Sequence, residues 1–502
     1  MSSLFQNIQL NIHNEAKWPL PFPLVNTSAG ERFGTVSLKP VKTDINKTPI
    51  CFLFTIDATG SMNSPAGSSR VTKMHYLKQT FRSMLLFLVK QPIDIFVYVN
   101  SFNTAVECVI DLVQITDENV KELIYKVEQI EADSMTDLGI ALDSAKNFMS
   151  SYSAKNPEHQ LAHIFMTDGS PTTGITDYAT LCEMIHTSSP NIFVGFGTDH
   201  NAQLMRKLSE TKNGDYQFVD NMENTGLVYG ETIHSLLYPT MKEVEIRITN
   251  GKLFDWQTNE WTDVLYESVL VGDVEKVYHI KTSAVDLVEV CIVGRAYMQD
   301  GGFEPSALLD TVDVVPDLLD QENGSIVDSE KQNLIKYAFR QRVQELLYST
   351  IHHDSISSRS LETDFKEAFR TLRKYMRENG LVEDAFYKNL CDDLSVTFKT
   401  MGTSHCDMFA LARGSSQGKQ KAYNTSATVD YDDMGQMQVP MLRRNASVPQ
   451  TQEIDDFANS VFPPVAAALD EDDLSTYVPS NDATNCYSTP AALDTMRCMS
   501  QP

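Results

Sequence analysis

Cys51–Ile56 (Cys-Phe-Leu-Phe-Thr-Ile) is an uninterrupted run of apolar and β-branched residues without a charge. Apolar residues on both alternating faces describe a strand covered on both sides, inside a parallel sheet rather than on a half-exposed one. The run ends at Asp57-Ala58-Thr59-Gly60-Ser61. Around it, from Pro49 to about Tyr238, the pattern alternates between strand and helix. Val71–Val89 carries apolar residues at helical spacing, Ile93–Val99 reads as a strand, and Ala105–Ile110 reads as its antiparallel partner after the Asn100–Thr104 turn. Glu118–Ile130 and Leu138–Tyr152 read as helices, and Leu161–Met166 as a strand ending in Thr167-Asp168-Gly169-Ser170. Helix Tyr178–Thr187, strand Asn191–Phe196, helix His200–Glu210, strand Asp215–Val219 and helix Met222–Leu237 complete the series. Such alternation predicts an α/β fold with a doubly wound, mostly parallel sheet.

The flanks carry other periods. Residues 5–45 alternate loosely, as in Ile8–Ile12 and Thr35–Leu38, around a Pro-rich turn at Pro19–Pro23. From Met241 the chain is β-rich again, with Glu243–Ile248, Val264–Leu270, Val277–Ile280 and Val288–Ile292 separated by Asn250-Gly251, Gly272-Asp273 and Asp300-Gly301-Gly302 turns. These strands predict a small β-sandwich, which the N-terminal strands would complete, leaving the α/β segment as an insertion. Glu330–Ile351 and Leu361–Glu378 are long amphipathic helices, read as an antiparallel pair, with a shorter helix at Val382–Leu394. After about Thr425 the composition turns to Asp, Ser, Thr, Asn, Pro and Gln, with Asp470-Glu471-Asp472-Asp473 and an apolar island at Val461–Leu469, and reads as a disordered acidic tail. The domain reading is therefore 1–47 strands joining the sandwich, 48–238 α/β, 239–315 β-sandwich, 325–424 helical and 425–502 tail.

Composition narrows the function classes. At 502 residues the chain is too long for one core. A formal net charge of −26 repels nucleic-acid phosphates and anionic lipid. The eight cysteines are widely separated, with no Cys-x-x-Cys pair to suggest a zinc cage or a disulfide scaffold. No basic segment followed by an apolar run opens the chain, and its most apolar stretch, Met84–Val99, is broken by Lys90, Gln91, Pro92 and Asp94. A spanning helix needs about 20 apolar residues. An intracellular protein, cytoplasmic and without membrane insertion, is the expectation.

Candidate chemistry lies where strands end. In open α/β sheets the functional site sits beyond the carboxyl ends of the strands. Three loops leave that edge with oxygen-bearing side chains: Asp57, Thr59 and Ser61 in the first, Asp133-Ser134-Met135-Thr136-Asp137 in the second, and Asp168 in the third. Alternate spacing in Asp-x-Thr-x-Ser lets three side chains converge on one point. Oxygen-only donors suit a hard divalent cation, Mg²⁺ before Ca²⁺. Two carboxylates plus neutral hydroxyls would leave the metal undercharged, so that an acidic side chain of a protein partner completes the shell. Such a site needs neither a nucleophile nor a base.

The pattern Asp57-x-Thr59-x-Ser61, then Thr136, then Thr167-Asp168-Gly169 resembles the metal-ion-dependent adhesion site of von Willebrand factor type A domains, in its intracellular form. Val194-Gly195-Phe196-Gly197-Thr198-Asp199-His200 and Gly214-Asp215-Tyr216-Gln217-Phe218 look like that family's later strands, so the resemblance covers about 48–238. It implies a Rossmann-like domain that binds Mg²⁺, or Mn²⁺ or Ca²⁺ in its place. Asp57, Thr59, Ser61, Thr136 and Asp168 would be the metal-site residues, Ser61 and Thr136 as direct hydroxyl ligands and the two aspartates directly or through water. Thr59 stands where the better-known adhesion receptors have Ser, and keeps the hydroxyl. Asp137 is read as a carboxylate starting the following helix. The flanks faintly resemble eukaryotic proteins joining this domain to a Hint or RING module. Neither a RING cysteine pattern nor a Hint cysteine is evident, so those activities do not carry over.

The same first loop also resembles the phosphorylated-aspartate loop of haloacid-dehalogenase-like phosphohydrolases, with Asp57 as nucleophile. Thr167-Asp168-Gly169-Ser170-Pro171 lacks the second acid those enzymes need. His352-His353-Asp354 reads as a solvated helix end, and Ser404-His405-Cys406 as a chance cluster. The expected function is a non-enzymatic, Mg²⁺-dependent scaffold or adaptor that binds a partner's Asp or Glu.

Overall fold

The computed structural model describes residues 4–12, 30–42, 44–45, 47–65, 71–197, 200–219, 225–297, 303, 307–314, 328–352, 358–403, 405–421, 473–479, 487 and 489–500. Two N-terminal strands, β1 (Phe5–Ile12) and β2 (Arg32–Pro40), precede β3 (Ile50–Asp57), the run whose every residue is buried. There follow α1 (Lys73–Leu88), β4 (Ile95–Phe102), β5 (Val106–Gln114), α2 (Val120–Glu128), α3 (Leu138–Lys155) and β6 (Gln160–Thr167). Next come α4 (Tyr178–Glu183), β7 (Asn191–Phe196), α5 (Ala202–Ser209), β8 (Gly214–Val219) and α6 (Thr225–Leu237). These strands form one sheet in the order β5-β4-β3-β6-β7-β8, parallel except for β5. Both β4 and β6 flank β3, so the strand order reverses at its carboxyl end and a crevice opens there. Phe52, Phe54 and Ile56 face one apolar layer with α1 and α6, while Cys51 and Leu53 face another with α3. Each such large side chain contributes roughly 1.5–3 kcal/mol on burial.

A polar ladder crosses the middle of this sheet. His163 on β6 is buried between Thr55 of β3 (Oγ1 to Nε2, 3.0 Å) and Asn191 of β7 (Oδ1 to Nδ1, 3.0 Å). The Asn191 amide nitrogen already donates to the His186 and Ser189 carbonyls, so its oxygen accepts from His163 Nδ1–H and Thr55 donates to Nε2. Neutral imidazole satisfies all three residues. Burial lowers the His163 pKa to about 4.

Strands β9 (Pro239–Thr249), β10 (Lys252–Asp255), β11 (Glu260–Thr262), β12 (Val264–Val271), β13 (Lys276–Thr282), β14 (Val288–Ala296) and β15 (Ala307–Val314) build two antiparallel sheets. One runs β12-β9-β14-β15 and the other β1-β2-β13-β10-β11. The N-terminal strands enter through β2, which pairs with β13 from Arg32↔Thr282 to Leu38↔Lys276. Val36, Leu38, Ile246, Ile280 and Val290 share one core between the two sheets.

Helices α7 (Asp328–His352), α8 (Ser358–Glu378), α9 (Ala385–Thr400) and α10 (Cys406–Lys419) form a helical layer around Phe339, Leu347, Phe365, Phe369 and Leu390. α10 lies within the 325–424 stretch read as helical but was not delimited as a separate helix, since its Gly414-Ser415-Ser416 are weak helix formers. It is held by a buried Arg413–Asp393 ion pair at 2.6 Å and by Phe409, which packs edge-on to Phe218 of β8. Val396, Met408 and Phe409 thus share a core with Phe165, Phe193 and Phe218 of the parallel sheet.

Most of the expected acidic tail, with Val461–Leu469 and Asp470–Asp472, lies outside the described residues. Its described parts are ordered, which corrects that expectation for them. Leu474 is buried in the helical core, the Tyr477 hydroxyl donates to Asp392 at 2.9 Å, and α11 (Pro490–Ser500) packs against α6 and α1. Ala492, Met496 and Met499 recur at helical spacing, which is why this piece of a polar segment folds.

His163 is neutral in the fold down to about pH 4 but takes a proton below 6.5 once unfolded. Its stabilising contribution is complete above that range and is lost as pH falls through it. His234, lowered to about 4 by burial, acts with the same sign. Asp57 and Glu345, raised by burial to about 6 and about 7, act with the opposite sign over this range, so the ladder is read by difference. The stability gap between the wild type and His163→Asn in urea unfolding should narrow as pH falls from 6.5 to 4; a constant gap would contradict the neutral ladder.

Candidate functional site

The five residues singled out in the sequence come from three loops at the carboxyl edge of the parallel sheet. β3 delivers Asp57 fully buried, and the chain then turns through Thr59 into a short 3-10 turn at Gly60–Asn63. The second loop is tied to the first by backbone bonds, Asp133 N to Ala58 O at 2.8 Å and Gly60 N to Ser134 O at 3.1 Å. Ser134 holds φ at 69°, a left-handed conformation that bends the chain and leaves Met135 outside. Thr136 is fixed to the third loop, its N–H donating to Thr172 Oγ1 at 2.8 Å and its carbonyl accepting from Thr172 and Thr173. Asp137 caps α3 by accepting from Ile140 N at 3.2 Å.

Side chains complete the cluster. The Thr59 N–H donates to Asp57 Oδ1 at 2.9 Å and the Thr167 hydroxyl to Asp57 Oδ2 at 2.5 Å. Thr59 Oγ1 and Ser61 Oγ lie 3.0 Å apart, and Ser61 donates to Asp168 Oδ1 at 2.7 Å. A Cβ placed on Gly169 would sit 3.6 Å from Thr136 Oγ1 and 3.9 Å from Ser61 Oγ, so these hydroxyls flank one point. Asp57, Thr59, Ser61, Thr136 and Asp168 are therefore neighbours. Burial, then the nearby Asp168 charge, pushes the Asp57 carboxyl up to about 6, against the hydrogen bonds from Thr167 and Thr59.

The cation at this cluster belongs to the chain. Lys73, at the start of α1, reaches Asp168 Oδ2 at 2.9 Å with both side chains buried. Asp168 thereby has one oxygen on Ser61 and the other on an ammonium, while both Asp57 oxygens are engaged within the sheet. Among the described residues no group of three or more His, Cys, Asp or Glu could hold a metal ion. The expected Mg²⁺ cofactor, and Mn²⁺ or Ca²⁺ in its place, is thus corrected: two carboxylates already committed to internal partners do not fit a hard divalent ion. Sequence reading passed over Lys73 because it lies twelve positions beyond Ser61, inside an amphipathic helix. One signal was available. A lysine in the first turn opposes the helix dipole and needs an external reason to be there.

Asp57 does not present itself as a nucleophile either, being wholly buried with both oxygens hydrogen-bonded. Of the other clusters, His352 stacks on Tyr348 at 3.9 Å and meets Arg206 at 2.7 Å, while His353 and Asp354 lie outside the described residues. Cys406 is buried at the start of α10, where burial pushes its thiol up to about 11. That is the reverse of activation.

Comparison with known proteins matches residues 67–218 to the von Willebrand factor type A domain. No curated protein matches the chain. Among solved structures, a von Willebrand factor type A protein from Catenulispora acidiphila is 14% identical, with 78% of this chain and 90% of that one covered and a TM-score of 0.49. The ArnB paralog VWA2 from Sulfolobus acidocaldarius is 13% identical, with 82% and 97% covered and a TM-score of 0.45. The matched segment and the sheet order together give a von Willebrand factor type A fold. The match ends at 218 and does not extend into the flanking strands and helices.

Removing the ammonium leaves Asp168 buried and unpaired. Lys73→Met should cost about 3–5 kcal/mol in urea unfolding, and adding Asp168→Asn should restore much of it. The wild-type thermal midpoint should be the same in excess MgCl₂ and in EDTA, since a bound ion would raise it.

Proposed function

On that fold, we propose that the chain is a protein-interaction module working without a metal, and that its recognition face is the rim of the three loops. The observation that carries this reading is the contrast between the buried network and its rim. Asp57, Thr59, Lys73, Thr136 and Asp168 are buried, Asp57 bonded to Thr59 and Asp168 to Lys73, whereas Gly60, Ser61, Ser134, Met135 and Thr172 are exposed around them. Met135 is 55% exposed on a loop whose backbone is anchored on either side. A fixed polar platform with a projecting thioether suits a partner surface with a small apolar socket ringed by hydrogen-bonding groups. The carboxylate-bearing partner expected from the resemblance has no metal to complete here, so complementarity falls to the hydroxyls and to Met135.

The two antiparallel sheets are read as a β-sandwich which, with the helical layer, acts as a rigid scaffold presenting the rim. No described helix is long and apolar enough to cross a membrane. Affinity capture on the immobilised full chain, read by mass spectrometry, tests the proposal. A partner set retained in EDTA and lost with Met135→Asp is expected; binding abolished by EDTA, or untouched by Met135→Asp, would overturn it.

A further inference from the structure

A cavity of about 820 Å³ lies at the end of the parallel sheet opposite the loop cluster, a volume that holds a small organic ligand. One wall is the chain around the starts of β6, β7 and β8, at His159, Ser189 and Lys212. The other is the sheet β12-β9-β14, on the face turned away from the core that Ile246 and Ile292 help to form. Two contacts cross between the walls. The Tyr266 hydroxyl donates to Asn213 Oδ1 at 3.4 Å, and the Lys212 ammonium lies 5.8 Å from the centre of the Tyr266 ring. That ring is still 42% exposed.

The sheet wall is built against its own electrostatics. Continuing the register of Val293↔Glu245 along β14 would set Glu243 opposite Arg295, a favourable cross-strand pair. Instead β9 carries one extra residue here, a β-bulge, and Lys242 stands opposite Arg295. Two cations in that position repel. The bulge also holds Glu243 at a φ of 53°, a left-handed backbone that is unfavourable for a residue with a Cβ. Strain kept where it makes the charge pairing worse points to a use for the cations. Glu243 still reaches Arg295 at 3.4 Å from a half-exposed position, but among the described residues no carboxylate forms an ion pair with Lys242. The Lys242 ammonium lies 4.1 Å from the centre of the Phe303 ring instead. Burial, then Arg295, lowers its pKa against the pull of Glu243. Nearby carboxylates of the cavity are engaged elsewhere, Glu267 with Lys276 at 3.2 Å and Asp215 with Lys419 and Lys421 at 3.0 Å.

We propose that this cavity binds a small phosphorylated molecule with a planar ring, of mononucleotide size, its phosphate between Lys242 and Arg295 and its ring against Tyr266. A phosphate supplies the negative charge that the bulged pair lacks, and acceptor oxygens for an ammonium and a guanidinium together. Tyr266 is opposite Glu245, three residues along β9 from Lys242. At strand spacing that is about 10 Å, the reach from a nucleotide's phosphate to its base. The exposed tyrosine face gives the ring a surface to stack on.

Calorimetric titration of the full chain tests this, with adenosine, guanosine, cytidine and uridine monophosphates, the free nucleosides and inorganic phosphate as probes. At least one nucleotide should bind saturably and more tightly than its nucleoside or phosphate alone. Lys242→Gln and Arg295→Gln should each weaken it by about tenfold or more, the loss of one hydrogen bond to a charged group. No saturable binding by any of the four nucleotides, or binding unchanged in either folded variant, would overturn the proposal. Phosphate binding as tightly as every nucleotide would overturn the part given to the ring. If a variant does not fold, acetylation of Lys242 in the wild-type chain, read by mass spectrometry, decides: saturating nucleotide should suppress it, and an unchanged rate refutes the site.

Discussion

The loop cluster depends on one buried ammonium. Asp57 and Asp168 are brought together by β3 and β6, at a depth where two carboxylates repel and water cannot screen them. Lys73 resolves half of that conflict through Asp168, and the Thr59 and Thr167 donors resolve the other half at Asp57. Its position is paid for locally, since a cation at the amino end of α1 opposes the helix dipole. The pair therefore joins three elements, fixing the start of α1 to the end of β6 and, through Ser61, to the turn after β3. With the counter-charge covalently part of the chain, the loops hold their arrangement without an exchangeable ion.

A comparable economy joins the other layers. Lys419 and Lys421 both reach Asp215 of β8 at 3.0 Å, and Gln420 between them bonds both backbone groups of Val277 on β13. Gln420 adopts φ of 52° at the carboxyl end of α10, which turns consecutive side chains towards different partners. Burial alone would raise the Asp215 pKa, but the two ammoniums outweigh it and hold the carboxyl well below its usual range. Trp256 lies flat over Gly418, and Arg340 of α7 donates to His279 at 2.9 Å, so the antiparallel sheets meet the helical layer at the same place. His279 stays neutral there, its pKa driven down first by burial and then by the neighbouring guanidinium. The helices, the parallel sheet and the antiparallel strands thus converge on three residues.

The parallel sheet was legible because its strands are apolar on both faces, a pattern that only a doubly covered strand produces. The hairpin partner β5 and the amphipathic helices were legible for the same kind of reason. α10 fell inside the stretch read as helical, 325–424, but was not delimited as a helix of its own, because Gly414, Ser415 and Ser416 carry weak helical signal and it is held by tertiary contacts to Asp393 and Phe218. α11 was hidden in a polar segment by brevity, three apolar positions being too few to stand out. The loop residues were found through their spacing, but the charge balance among them was misjudged, since Lys73 carries no spacing relation to Asp168 that a linear reading could detect.

By itself, then, the sequence determined where strands would be buried on two sides and where they would release their oxygen-bearing loops, since those follow from local hydrophobic period and turn chemistry. The tertiary structure alone decided what those oxygens face. A carboxylate's partner is set by distances across the fold, and here crossing strands and the first turn of a helix placed an ammonium, rather than open space for a divalent ion, beside Asp168.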